Sequence, residues 1–345
     1  MESGKNGVST SVLCGSLITN EERKEIDWLS AVMKDILQKC PAYDTDFALL
    51  RWLRACDHDR EKTVEQMSWA LNALSCLHIL DKDLSTIPKI NQQMNVVTPL
   101  SAYFPGGIIG TDKHGNVLVM NGTGDLRPRQ LLHCTTNADF FIAALTEAEG
   151  IQTLLRAEEK KRNRKLGVVM VTDLSGYSLE LVASLTAIKM YLNLMTLLQR
   201  AFVDTAAKIY VINVPSAVEI IWTMMKKVLT QDTIEKIEIV GNDWKELLIR
   251  NHGAENIPKR WGGTLEKSYV KEAKVLTDEL RETFLPKRCA FDELEKVTVN
   301  ARSVVKIPIR VNSAGTKLSW YFECVSGAID FCVLHNGNEV GNSLI

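Results

Sequence analysis

Asp173 ends an apolar run and is followed closely by Ser175 and Ser178, residue types that hydrolases use. Acyl transfer would also need a strand-to-helix G-x-S-x-G elbow and a histidine. No elbow is present, and no histidine lies near in sequence, so no catalytic residue is expected and the chain reads as non-enzymatic. Gly122-Thr123-Gly124 lacks the third glycine and the strand-to-helix setting of a dinucleotide loop and reads as a turn. The 8 cysteines contain no C-x-x-C pair, and the 6 histidines are scattered without zinc spacing. No metal and no cofactor is expected, and the cysteines read as reduced thiols in a cytoplasmic protein. Lys160-Lys161-Arg162-Asn163-Arg164-Lys165 is either a solvated helix end or an attraction for anionic membrane. With a formal net charge of -1 and no aromatic platform beside that run, nucleic acid is not an expected partner.

The chain has 345 residues, 46% hydrophobic and 24% charged, an ordinary globular composition. Residues 1–20 are small and polar and read as a disordered tail. Ile26, Leu29, Met33, Ile36 and Leu37 recur at helical spacing over 21–40, and Pro41 ends that helix. Helices at 45–55 and 59–78 complete a helical module, and 79–105 reads as a connector broken by Pro88, Pro99 and Pro105. A hairpin follows, with apolar runs at 108–109 and 117–120 around Asp112-Lys113-His114-Gly115-Asn116. Helix 139–155, strand 167–172, helix 178–201, strand 208–214, helix 217–229, strand 237–240 and helix 244–252 come next. Strands alternating with helices predict an α/β domain with a mostly parallel sheet.

Two helices are unusually apolar. Residues 181–198 approach spanning length, but Lys189 at the centre favours a helix buried in a soluble core. Residues 217–229 are apolar nearly all round, with Ile221, Met224, Met225 and Val228 on one stripe and Val218, Trp222 and Leu229 on another. A surface helix needs one polar face. This one is either a core helix or a gate that closes over a ligand and meets a membrane through Trp222, Met225, Lys226 and Lys227. The candidate wall of the pocket between this helix and the sheet is Val169, Val171, Ile188, Leu192, Ile209, Val211, Ile221, Met225 and Val228.

The order of motifs resembles the CRAL-TRIO lipid-binding family. Leu49-Leu50-Arg51-Trp52-Leu53-Arg54-Ala55 is similar to its N-terminal signature, with Cys56 where a second Arg is usual. Phe104-Pro105-Gly106-Gly107, Asp112-Lys113-His114-Gly115, Gly241-Asn242-Asp243-Trp244-Lys245-Glu246-Leu247-Leu248 and Trp261-Gly262-Gly263-Thr264 follow in order. The last two are similar to the supernatant protein factor branch, which carries a C-terminal GOLD β-sandwich; Leu318-Ser319-Trp320-Tyr321-Phe322 is similar to that module. The resemblance implies a pocket for one hydrophobic ligand. It also implies that Asp204, standing where the family has Glu, and Lys236 with Thr233, in the Thr-x-x-Lys-Ile motif, help hold an inositol phosphate. Read as residues alone, Asp204 and Lys236 are equally an ordinary salt bridge. The phosphatidylcholine contacts of the yeast transfer protein fall at Val168, Met170 and Val119, whose side chains cannot hydrogen-bond.

The expected organisation is a tail (1–20), a helical module (21–85), a CRAL-TRIO domain (86–268), a charged linker (269–295) and a partial GOLD-like β region (296–345). The expected function is binding and intermembrane transfer of a phosphatidylinositol or a tocopherol- or squalene-like lipid, cytoplasmic and peripheral at membranes. A lipid-sensing adaptor in signalling or Golgi traffic, recruiting protein through the GOLD-like region, is the alternative.

Overall fold

The computed structural model describes residues 13–345 except 128–130, 132–133, 177–184, 216–221, 224, 285–290, 314–315, 317, 319, 323, 328, 330, 336–337 and 340–345. The chain divides into two compact units, Met1–Phe284 and Leu285–Ile345.

The first unit opens with helices whose starts are written in their caps. Thr19 and Glu22 form a reciprocal capping box on α1 (Asn20–Val32). The single expected helix at 21–40 is two: Met33 ends α1, and α2 (Lys34–Lys39) follows. Thr45 caps α3 (Asp46–Ala55), and Asp59 caps α4 (Arg60–Cys76). The connector 79–105 holds a helix the sequence reading missed, α5 (Ile87–Val97). Pro88 was expected to break structure there. It sits in the first turn, where its missing N–H has no helical partner to lose, and Thr86 supplies the cap.

The sheet has the order β1-β2-β3-β4-β5. Strand β1 (Gly106–Thr111) pairs antiparallel with β2 (Val117–Asn121), and β3 (Val168–Asp173), β4 (Ala206–Ile212) and β5 (Ile237–Ile239) add in parallel. Helix α6 (Asn137–Arg162) connects β2 to β3, and α7 (Leu185–Ala201) connects β3 to β4. Helix α8 (Gln231–Lys236) leads into β5, and α9 (Trp244–His252) follows it. Asn163, in the left-handed conformation, stops α6.

The two sheet faces have different fates. Leu118, Met120, Val169, Val171, Tyr210 and Ile212 pack against Trp244, Leu248, Ile257 and Trp261 in a closed core. Beneath it, Asp112 and His252 form a fully buried pair at 2.9 Å. The other face looks toward α6 and α7, where part of the space is filled by Ile90, Met94 and Leu155 and part is open. Residues 271–284 pack on this unit. Lys271 bridges to edge strand β1 at Gly106, Leu276 is buried beside Leu100, Leu131 and Cys134, and α10 (Asp278–Phe284) ends the unit.

In the second unit the described strands are β6 (Leu334–His335) and β7 (Asn338–Glu339), a short antiparallel pair. The strands expected at 304–309 and 318–322 do not form among the described residues. Val304, Ile307, Ile309 and Trp320 stay exposed. About 50 residues bury too little apolar surface to sustain a sandwich alone.

Candidate functional site

A cavity of about 1460 Å³ lies between the open sheet face and the helices. Its floor is Val119, Val168, Met170, Thr172, Ile209 and Val211. Helix α6 contributes Phe140, Ala144, Glu147 and Ile151, and α7 contributes Ile188, Tyr191, Leu192, Met195 and Leu198. Trp222, Met225 and Leu229 close part of the rim. The volume exceeds the roughly 300–1,000 Å³ common for small-molecule sites.

Ile188, Leu192, Ile209, Val211 and Met225 of the expected pocket wall line this space, as do Trp222, Asp204, Thr233 and Lys236. Val169 and Val171 do not. Side chains alternate along a strand, and these two point into the closed core while Val168, Met170 and Thr172 face the cavity. Val228 is partly buried but does not line the cavity. Ile221 lies outside the described residues. Lys226 and Lys227 are exposed, with Lys226 Nζ 5.7 Å from the Trp222 ring centre.

One end of the cavity is charged. Asp204 sits between α7 and β4 with a left-handed φ of 43°, which an aspartate tolerates better than most residues. Its Oδ2 lies 2.8 Å from Lys165 Nζ and its Oδ1 3.3 Å from Lys236 Nζ. Lys236 also holds Asp232 at 2.7 Å. Burial opposes ionisation of Asp204, but Lys165 and Lys236 together bring its pKa below the ordinary carboxylate value. Burial and the nearby Arg51 bring the Lys165 ammonium down to about 8, against the pull of Asp204. Lys165 is the functional candidate that sequence reasoning missed. It belongs to the basic run, whose Lys160, Lys161 and Arg162 occupy the exposed last turn of α6, while Lys165 turns inward beyond the cap.

Arg51 fixes this end to the helical module. It is 4% exposed and donates from Nη1 to the Asp204 carbonyl at 2.7 Å and from Nη2 to the Leu166 carbonyl at 2.7 Å. It also pairs with the buried Glu159. The same end is tied to α7 by Gln199, which donates to the Val228 carbonyl at 2.9 Å and accepts from the Thr230 amide at 2.9 Å. Thr230 caps α8, which carries Thr233 and Lys236. The elements therefore bring Asp204, Lys165, Lys236 and Thr233 to one cavity end as a preset cluster of two ammonium groups, a carboxylate and a hydroxyl.

Among the described residues no group of three His, Cys, Asp or Glu could hold a metal ion. No helix among them is long and apolar enough to cross a membrane.

This arrangement, a mostly parallel sheet roofed by apolar helices over a large cavity, is a CRAL/TRIO fold, and residues 101–263 match the CRAL/TRIO domain family. The chain carries a CRAL/TRIO domain over those residues. A CRAL-TRIO domain-containing protein of Caenorhabditis elegans is 21% identical over 88% of this chain and 73% of its own length. The phosphatidylinositol/phosphatidylcholine transfer protein SFH9 of Arabidopsis thaliana is 22% identical over 70% of this chain. The chain spans 41% of that plant protein. The crystal structure of Sfh5 superposes with a TM-score of 0.50 at 15% identity, covering 75% of this chain and 92% of that one.

Proposed function

We propose that this protein binds one lipid in the cavity and exchanges it at membrane surfaces, without chemistry of its own. The observation that carries this reading is a large apolar cavity with a charged cluster at one end. Hydrocarbon exposed to water costs about 0.8 kcal/mol per CH₂. The floor and the α6 and α7 walls remove that cost, and the Asp204–Lys165–Lys236 cluster suits an anionic head. Asp204 would repel a phosphate directly, so its part is to position both lysines and to accept a hydroxyl. An inositol phospholipid has both groups, and the plant relatives' names point the same way. Tocopherol- and squalene-like ligands would use the apolar floor alone. The segment carrying Trp222 and Met225 serves as the gate, with Lys226 and Lys227 toward anionic head groups.

A vesicle exchange assay with fluorescent phosphatidylinositol tests the reading. Transfer well above the spontaneous rate, lost when Ile209→Glu charges the floor, is expected. Transfer no faster than the blank would end the transfer proposal. The adaptor reading rests on one observation, the exposed Val304, Ile307 and Trp320 of the second unit. A protein partner lost on deleting residues 296–345, with lipid exchange unaffected, would favour it.

A further inference from the structure

The cavity contains a second polar pole that the head-group reading leaves unused. Glu147 on α6 and Lys271 both line it. They flank Gly107: a Cβ there would lie 3.7 Å from Lys271 Cε and 3.9 Å from Glu147 Oε1. Glu147 is half-buried and lines the cavity. No hydrogen bond or ion pair reaches its carboxyl among the described residues. Burial raises its pKa against the pull of Lys271.

Lys271 is held by its backbone rather than by its charge. Its amide and carbonyl exchange hydrogen bonds with Gly106 at 2.8 and 2.9 Å, extending the sheet edge. Its ammonium donates to the Ser101 carbonyl at 3.0 Å, leaving two N–H donors for the cavity.

The position of the pole matters. Gly106 pairs with Asn121, Asn121 with Thr172, and Thr172 with Val211, all at the carboxyl end of the parallel strands. Lys165 and Asp204 precede Val168 and Ala206 at the amino end. Four steps of strand separate Val168 from Thr172, roughly 13 Å at about 3.3 Å per residue. The floor between them is apolar: Val119, Met170 and Ile209.

We propose that Glu147 and Lys271 form an oxygen-recognition subsite that binds a hydroxyl group on the far, otherwise apolar end of the ligand. This rests on the lipid-container reading above. A hydroxyl can accept from the Lys271 ammonium and donate to a Glu147 carboxyl oxygen. A hydrocarbon end leaves those groups facing it without partners, which disfavours it. The pair therefore selects an apolar molecule that carries a lone hydroxyl over the matching hydrocarbon.

The test is displacement of a solvatochromic fatty-chain probe from the full-length protein by hexadecanol and by heptadecane, in which a methyl group replaces the hydroxyl. The wild type is expected to bind the alcohol at least tenfold more tightly. Glu147→Leu and Lys271→Met should each abolish that preference while Lys236→Met retains it. Lys271→Met keeps the backbone bonds to Gly106, so it reports even where Glu147→Leu fails to fold. Equal affinity of the wild type for both compounds would overturn the subsite and leave the container intact. So would a preference that survives Lys271→Met, or one lost only in Lys236→Met, which would assign the hydroxyl to the opposite pole. Displacement by neither compound would overturn subsite and container together.

Discussion

Lys165 Nζ lies 2.8 Å from Asp204 Oδ2, and the same lysine has its ammonium pKa drawn down to about 8. A lysine this close to a carboxylate would ordinarily have its pKa raised. Burial and Arg51 reverse the sign. The folded protein therefore binds this proton less tightly than the unfolded chain does. The charge costs stability at neutral pH, and that cost is relieved as pH rises from about 8 toward the ordinary lysine value near 10.4.

An anionic head group beside Lys165 would reverse that shift again by pairing the charge. Affinity for phosphatidylinositol is accordingly expected to fall as pH rises above about 8, by up to about tenfold per unit. Affinity for a neutral lipid should stay flat. Lys165→Arg, always protonated, should flatten the anionic-lipid profile. Equilibrium binding to short-chain lipid across pH checks this, and a flat wild-type profile would remove Lys165 from the head-group site.

Arg51 is the structural tie between the helical module and the charged cavity end. Arg51→Met leaves Glu159 buried without its partner and frees the Asp204 and Leu166 carbonyls. Breaking a buried pair from one side costs about 3–5 kcal/mol. Urea unfolding should show a loss of that size, whereas exposed Lys161→Met should change stability by less than about 0.5 kcal/mol.

Lys226 and Lys227 are exposed, so reversing both to Glu should leave the melting temperature nearly unchanged. Near anionic membrane each basic residue contributes about 1 kcal/mol. The reversed pair is expected to slow exchange with anionic vesicles more than tenfold and exchange with neutral vesicles little. Met225→Glu should act differently. It puts a carboxylate against the cavity rim and should lower lipid occupancy on both vesicle types. Equal slowing on anionic and neutral vesicles by the lysine reversal would argue against membrane contact through this segment.

The α/β alternation and the order of strands were legible because each element carried its own period and its own punctuation. Strand β4 also revealed its faces: Lys208 and Tyr210 interrupt Ile209 and Val211, so the cavity-facing pair could be chosen. Strand β3 could not be read that way. Val168, Val169, Met170 and Val171 are all apolar because one face meets a packed core and the other meets an apolar cavity. Both surroundings select the same side chains, and Val169 and Val171 were placed on the wrong one. Pro88 misled because a proline that opens a helix looks in sequence like one that ends it. Lys165 was hidden inside a basic run, and only the left-handed turn at Asn163 separates it from its exposed neighbours. Glu147 gave no signal, since a glutamate within a long amphipathic helix ordinarily meets water.

In the proposed container the open sheet face holds the lipid. Native mass spectrometry of the full-length protein incubated with phosphatidylinositol vesicles and then separated from them measures this directly. A single lipid mass adduct per chain is expected, abolished by Ile209→Glu in a protein that still melts cooperatively. A wild-type spectrum of bare protein, or an adduct that survives charging the floor, would contradict it.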